Sequence, residues 1–176
     1  MAHPQDIQGS KSRILLNRRQ AFSALHVETI KLLSDNVERV RDQAYRVLLA
    51  FFDALDPPSL ACSLPLLVPS LVHRIGCLPP SEPSEEVRLL ALLVTSRIFT
   101  VYGKRMGDYI EALDSICSSC LEDSHPLVRL EAGNLISMMC RTLKAKMQQI
   151  VRMEERQQGP VKIYRLLSSL HILLCQ

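Results

Sequence analysis

The sequence has no tryptophan, and its aromatic residues amount to 5% of 176. That scarcity argues against a stacking platform for single-stranded nucleic acid, which needs exposed rings to receive bases. Charge of one sign is also in short supply. Lys and Arg number 21 against 18 Asp and Glu, a net charge of +3. The basic residues are scattered apart from small clusters at Lys11-Arg13-Arg18-Arg19 and Arg141-Lys144-Lys146, whereas a dedicated nucleic-acid binder carries a stronger basic stripe. The longest apolar runs, such as Leu89 to Val94, fall far short of the roughly 20 residues of a membrane span. The opening Met1-Ala2-His3-Pro4-Gln5-Asp6 is polar, without the apolar centre of a secretory signal, so a cytoplasmic location is expected. In such a setting six cysteines at irregular spacing read as reduced thiols, not as a disulfide framework. Strand periodicity is missing too. The Val-rich segments repeat at three and four residues, the helical spacing, and never alternate. The expected class is therefore all-α, and no Gly-rich loop has the strand-to-helix context that phosphate binding requires.

What the chain does have is a repeated skeleton: an acidic residue, four spacers, then Val-Arg-x-x-Ala. Asp35 leads to Val40, Arg41 and Ala44; Glu82 to Val87, Arg88 and Ala91; Asp123 to Val128, Arg129 and Ala132. The valines, at positions 40, 87 and 128, lie 47 and 41 residues apart. A period in the forties with helical content is the mark of a HEAT or armadillo-like α-solenoid. The expected architecture is about three antiparallel helix pairs plus a C-terminal helix. Residues 1–11 read as a disordered lead-in. The array covers 12–143, in pairs at 12–55, 60–102 and 104–143, and 144–176 is an atypical helical tail.

Punctuation supports these bounds. A first helical pattern over 12–33 carries Leu15, Phe22, Leu25, Ile30 and Leu33, with His26 a candidate break. Over 37–55 the residues Val40, Ala44, Val47, Leu48 and Phe51 share one face. Asp56-Pro57-Pro58 ends that helix, because proline cannot continue the hydrogen-bond ladder. Pro65 and Pro69 within 60–75 predict a kink or a broken first turn, with Gly76 closing the helix. Ser84 is a suitable cap for 85–102, and Glu85 and Glu86 suit its positive end. Asp123 to Pro126 forms the third turn, after which Val128, Ala132, Leu135, Ile136, Met139 and Leu143 fall on one face. Beyond Leu143 the helix turns polar, Gly159-Pro160 breaks it, and a last apolar helix over 161–175 is expected to fold back and cap the array, the alternative being an exposed helix that drives self-association.

The repeated residues have physical assignments. Each Val enters the core at the start of its second helix, and each Ala permits close helix approach. Each acid sits in the inter-helix turn, where it can accept from backbone N–H groups and pair with the arginine of its own or a neighbouring repeat. Asp35, Arg41, Glu82, Arg88, Asp123 and Arg129 are thus read as architecture. The opposite face of each second helix should line the concave side of a solenoid. It carries Arg39, Asp42 and Arg46, then Glu86, Leu93 and Arg97, then Asn134, Ser137 and Arg141. Such a mixed, arginine-bearing groove suits a protein or peptide partner; the alternative is a solvated face.

Catalytic and metal constellations are weak. Cys117-Ser118-Ser119-Cys120 with His125 begins a zinc-like spacing, but the fourth ligand position is Leu130, and cysteine is among the most buried residue types. A Cys–His nucleophile needs a base beside the thiol, while His26, His73 and His171 lie at the edges of helical patterns. The pairs Glu85-Glu86 and Glu154-Glu155 read as helix-end charge and solvated faces. No enzyme activity, cofactor, metal or small-molecule substrate is expected.

Taken together, the skeleton and the helix pairs resemble the HEAT-repeat family over about residues 12–143. Within it, Leu32-Leu33-Ser34-Asp35, Leu64-Pro65-Leu66-Leu67-Val68-Pro69-Ser70-Leu71 and Glu85-Glu86-Val87-Arg88-Leu89 are similar to the HEAT-repeat factors that assemble ciliary dynein arms. That resemblance implies a cytoplasmic, non-enzymatic scaffold acting with chaperones in axonemal dynein-arm assembly for the cilium, with contact to dynein intermediate or heavy chains. A HEAT adaptor for transport, karyopherin-like or coat-like, and a nucleic-acid-associated HEAT protein remain the alternatives.

Overall fold

The computed structural model describes residues 4–157, with side chains described for 13–142 (apart from Lys104 and Arg105) and for Lys144. The expectations for the 161–175 helix, the Gly159-Pro160 break and the role of His171 lie outside the described residues. Among the described residues every regular element is helical: α1 Pro4–Lys31, α2 Glu38–Ala54, α3 Pro57–Leu60, α4 Leu64–Ile75, α5 Glu85–Tyr102, α6 Ile110–Leu121 and α7 Pro126–Gln157. Short 3₁₀ turns cover Leu32–Ser34, Ala61–Ser63 and Gly103–Tyr109. Among the described residues no helix is long and apolar enough to cross a membrane.

The chain forms two compact units, one ending at Ile136 and one beginning at Ser137. The first is an all-α repeat solenoid. The first helices of successive pairs pack on one another, α1 on α4 and α4 on α6, while the second helix α2 packs along α5. α4 and α5 also pack together within their own pair, as do α1 and α2. Both rows contribute to one core, in which Phe22, Leu33, Leu48, Leu67, Ile75, Leu92, Ile98 and Leu113 are buried. The Phe22 ring meets Phe51 edge to face at 5.1 Å between centroids and stacks on His26 at 5.0 Å. The second unit contains the later part of α7.

Several boundaries differ from the sequence reading, each for a local reason. Residues 4–11 are the first turns of α1 and not an irregular lead-in. Pro4 stands at the helix start, where its missing N–H costs nothing, and Gly9 weakens a helix by only about 1 kcal/mol. His26 does not break α1; its Nδ1 donates to the Phe22 carbonyl at 3.0 Å, a bond made within the helix. The stretch after Gly103 is 3₁₀ as far as Tyr109, so the regular part of the third pair starts at Ile110. The polar change at 143 does not interrupt α7, and the first unit closes earlier, at Ile136.

The core face of α2 is also rotated from the one expected. Ala44, Tyr45, Leu48 and Phe52 are buried, whereas Val47 is exposed and Val40 and Phe51 are half-buried. α2 is held from two sides, by α5 and by α1, so its buried stripe follows the sum of both contacts. Leu25 of α1 is likewise exposed. Between Pro57 and Ile75 the prolines do what their chemistry allows: Pro57 opens α3, Pro65 lies in the first turn of α4, and Pro69 is accommodated inside it. Gly76 caps α4 with its amide bonded to the Val72 carbonyl, and the position takes glycine because a Cβ there would come within 2.8 Å of that same oxygen.

Candidate functional site

The inter-helix turns form a ladder of arginine forks. Arg41 at the start of α2 reaches forward to the acid that leads the second repeat. Its Nε donates to Glu82 Oε2 and its Nη2 to Glu82 Oε1, both at 2.7 Å. The remaining nitrogen, Nη1, donates back to its own turn, to the carbonyls of Asp35 at 2.9 Å and Asn36 at 3.1 Å. Arg88 repeats this arrangement. Nε and Nη2 donate to Asp123 Oδ2 at 2.6 Å and Oδ1 at 2.9 Å, and Nη1 donates to the carbonyls of Glu82 and Pro83. Of the two partners that the spacing allowed, the arginine takes the acid of the following repeat and the backbone of its own.

Each acid is fixed in turn by an amide two residues on. Val37 N donates to Asp35 Oδ1 at 2.7 Å, Ser84 N to Glu82 Oε1 at 3.1 Å, and His125 N to Asp123 Oδ1 at 2.8 Å. The Glu82 side chain is fully buried and carries a second cation, since Arg74 Nη2 donates to Oε2. Burial pushes the Glu82 carboxyl up, but the bonds from Arg41, Arg74 and the Ser84 amide outweigh it and hold it below the ordinary carboxylate range. Asp123 is lowered in the same way. Burial opposes ionisation there, and the Arg88 fork and the His125 amide overcome it.

Arg74 escaped the sequence reading although a signal existed. Leu67, Leu71 and Arg74 follow one another at four and three residues, so an arginine stands on the apolar stripe of α4. A cation there requires a buried acid. In the other repeat positions, Val87, Val128, Ala44, Ala91 and Ala132 are buried and Val40 is half-buried.

The residues read as a partner groove lie on the outer sides of the second helices. In the first unit Arg39, Arg46, Glu86, Leu93, Arg97 and Asn134 are exposed and Asp42 is half-buried. Many are tied to each other or to the next repeat. Arg46 forks onto Asp42 at 2.8 and 3.0 Å, and that contact holds the Asp42 carboxyl below its usual range. Arg97 pairs with Asp53 across the first boundary. Ser96 donates to Glu131 Oε1 at 2.8 Å across the second, and Asn134 donates to Glu131 Oε2. At the head of α5, Ser84 accepts from the Val87 amide and donates to Glu38 Oε1 at 3.0 Å. Ser137 and Arg141 are exposed in the second unit, where Arg141 Nη2 donates to Ser137 Oγ at 3.0 Å.

Cys117 and Cys120 are buried, and burial pushes their thiols up to about 11 and about 12. Catalytic and metal-binding cysteines need the opposite shift, toward the thiolate. Among the described residues no group of three or more His, Cys, Asp or Glu could hold a metal ion. An alkylating reagent at neutral pH should therefore modify exposed Cys62, Cys77 and Cys140 readily, and Cys117 and Cys120 only after denaturant is added. Peptide mapping of the modified protein reads this directly; fast labelling of Cys120 in the native state would contradict the assigned burial.

A model of the family described as "Dynein axonemal assembly factor 5-like, TPR repeats" matches residues 5–154. The chain belongs to that family. It is 29% identical to dynein axonemal assembly factor 5 of Drosophila melanogaster over 125 residues, which is 68% of this chain and 15% of that protein. It is 27% identical to the Xenopus laevis protein of the same name over 114 residues, 65% of this chain and 13% of that one. The chain thus spans well under a fifth of the length of these relatives. No solved structure matches it. The family is described by TPR repeats, units of about 34 residues. The repeats of this family member lie 47 and 41 residues apart, a HEAT spacing.

Proposed function

We propose that this chain is a non-enzymatic, protein-binding scaffold module that serves the cytoplasmic pre-assembly of axonemal dynein arms for the cilium. Membership of the dynein axonemal assembly factor 5-like family over residues 5–154 carries this reading. The structure supports the binding part of it. Arg41, Arg88, Glu82 and Asp123 are spent on holding the repeats, which leaves the exposed sides of the second helices to present Arg39, Asp42, Arg46, Glu86, Leu93, Arg97 and Asn134. The partners proposed are dynein intermediate or heavy chains, with chaperones alongside. A mixed surface of ion pairs around an exposed leucine suits polypeptide more than a polyanion, because base or phosphate recognition needs cations not already engaged with carboxylates.

The test is capture from lysates of ciliated cells, using the full chain and the Arg39→Glu/Arg46→Glu double variant. Wild type should recover dynein chains and chaperones. The variant should recover at least about tenfold less, as expected when an interface charge is reversed, with an unchanged circular dichroism spectrum. No dynein chain in the wild-type capture would overturn the assembly reading, and equal capture by the variant would remove the groove.

A further inference from the structure

The two ends of the arginine ladder are complementary. At both internal boundaries an arginine holds its own turn with Nη1 and grips the next acid with Nε and Nη2. Arg129 makes the first half of this arrangement. Its Nη1 donates to the carbonyls of Asp123 and Ser124, each at 2.7 Å, so its guanidinium is fixed by the same two bonds as those of Arg41 and Arg88. Among the described residues no carboxylate lies on its other edge, and the side chain is exposed where the two other arginines are buried. At the opposite end the Asp35 carboxylate is held by the Val37 amide as those of Glu82 and Asp123 are held by theirs, yet among the described residues no arginine is bonded to that carboxylate, Arg41 reaching only the Asp35 backbone carbonyl.

Both ends also present apolar surface beside the unmatched charge. Leu121, Leu127 and Leu130 stand near Arg129 in sequence and are 44%, 52% and 61% exposed. Leu32 and Val37 flank Asp35 and are 43% and 56% exposed. A repeat array ordinarily closes its ends with polar surface. Residues 158–176 contain no Asp or Glu, so no side-chain carboxylate for Arg129 can come from them.

We propose that copies of this chain associate head to tail, the Asp35 carboxylate of one copy entering the Nε/Nη2 edge of Arg129 of the next. The exposed leucines of the one end cover Leu32 and Val37 of the other. The contact continues the ladder with the residue types it uses internally, acid to arginine, at the head of a helix pair. Such an interface is heterologous, and copies add in one direction.

Sedimentation velocity on the full chain across a wide concentration range tests this. Wild type should shift from monomer to dimer and larger species as concentration rises. Arg129→Glu and Asp35→Arg should each sediment as monomers, with association weakened at least about tenfold by like charges at the contact. Mixing the two variants should restore association. The carboxylate introduced at position 129 of one then meets the guanidinium introduced at position 35 of the other, and the unaltered Arg129 and Asp35 meet at the alternate contact. That restoration also shows that both variants are folded. Should either reversal fail to fold, Arg129→Gln and Asp35→Asn take their places and should each weaken association. A wild type that stays monomeric overturns the proposal, as do single variants that associate like wild type, or a mixture of folded reversal variants that remains monomeric.

Discussion

Glu82→Ala should lower the melting temperature by about 10–15 °C. The carboxylate is fully buried and sits between two guanidinium groups, Arg41 and Arg74, which are themselves nearly buried. Removing one partner of a buried ion pair costs roughly 3–5 kcal/mol, because the charge left behind has lost both its counterion and its water. For a chain of this length that corresponds to the stated fall in melting temperature. Here two cations are orphaned at once, so the loss should lie at the upper end. Asp123→Ala leaves only Arg88 unpaired and should rank below it. Adding Arg41→Leu to the Glu82→Ala background should recover part of the loss, since a well-packed apolar residue costs less than an unpaired buried charge. Thermal melts followed by circular dichroism measure all three. A Glu82→Ala protein that melts within a few degrees of wild type would remove the buried fork from the account of stability, and a larger loss in Asp123→Ala would contradict the role of the second arginine.

The array should also be acid-labile within a defined window. Glu82 and Asp123 both have carboxyls held below their ordinary values in the folded protein. A depressed folded value means that the unfolded chain takes up protons first as the pH falls. The stability these groups contribute is complete above the ordinary carboxylate range, about pH 5, and is lost as the pH falls from about 4 through the lower folded values. Melting temperature should be nearly flat between neutral pH and about 5 and then drop steeply. Glu82→Gln and Asp123→Asn should each start from a lower value and show a shallower drop, because one of the titrating groups is gone. A wild-type profile parallel to those of both variants would mean that other carboxylates set the acid limit.

The repeat skeleton was legible because three constraints coincide in it. Val enters the core, Ala admits a neighbouring helix, and the acid begins a turn, so all three residue types recur at fixed offsets. The choice of partner was not legible. Arg41 lies six residues from Asp35 and 41 from Glu82, and only the packed repeats show that its fork edge faces forward. The buried side of α2 was misjudged at Val47, Tyr45 and Phe52 because a helix pressed from two sides has a buried stripe wider than a single amphipathic pattern. The start of α1 was set too late because residues 1–11 carry no apolar stripe of their own, although a proline in the first turn is tolerated. The outer-face residues were identified from their position on the second helices, but their mutual ion pairs, Arg46 with Asp42 and Arg97 with Asp53, depend on rotamers and on the neighbouring repeat. Arg74 was not legible in the skeleton because it stands on a first helix, inside an apolar stripe and outside the repeated residues.

The double use of each ladder arginine has a bearing on how the array comes apart. Nη1 closes the turn of one repeat while Nε and Nη2 fasten the acid of the next, so a single planar group belongs to two structural units. A turn cannot fray without loosening its neighbour's acid, and a departing neighbour withdraws the counterion that keeps the turn's own arginine in place. In a linear array of this type the nearest-neighbour terms decide whether units melt singly or together. Here those terms are concentrated in the same few atoms as the local ones. The three repeats of the first unit should accordingly melt in one cooperative transition, with the weakest helix pair held by the strongest.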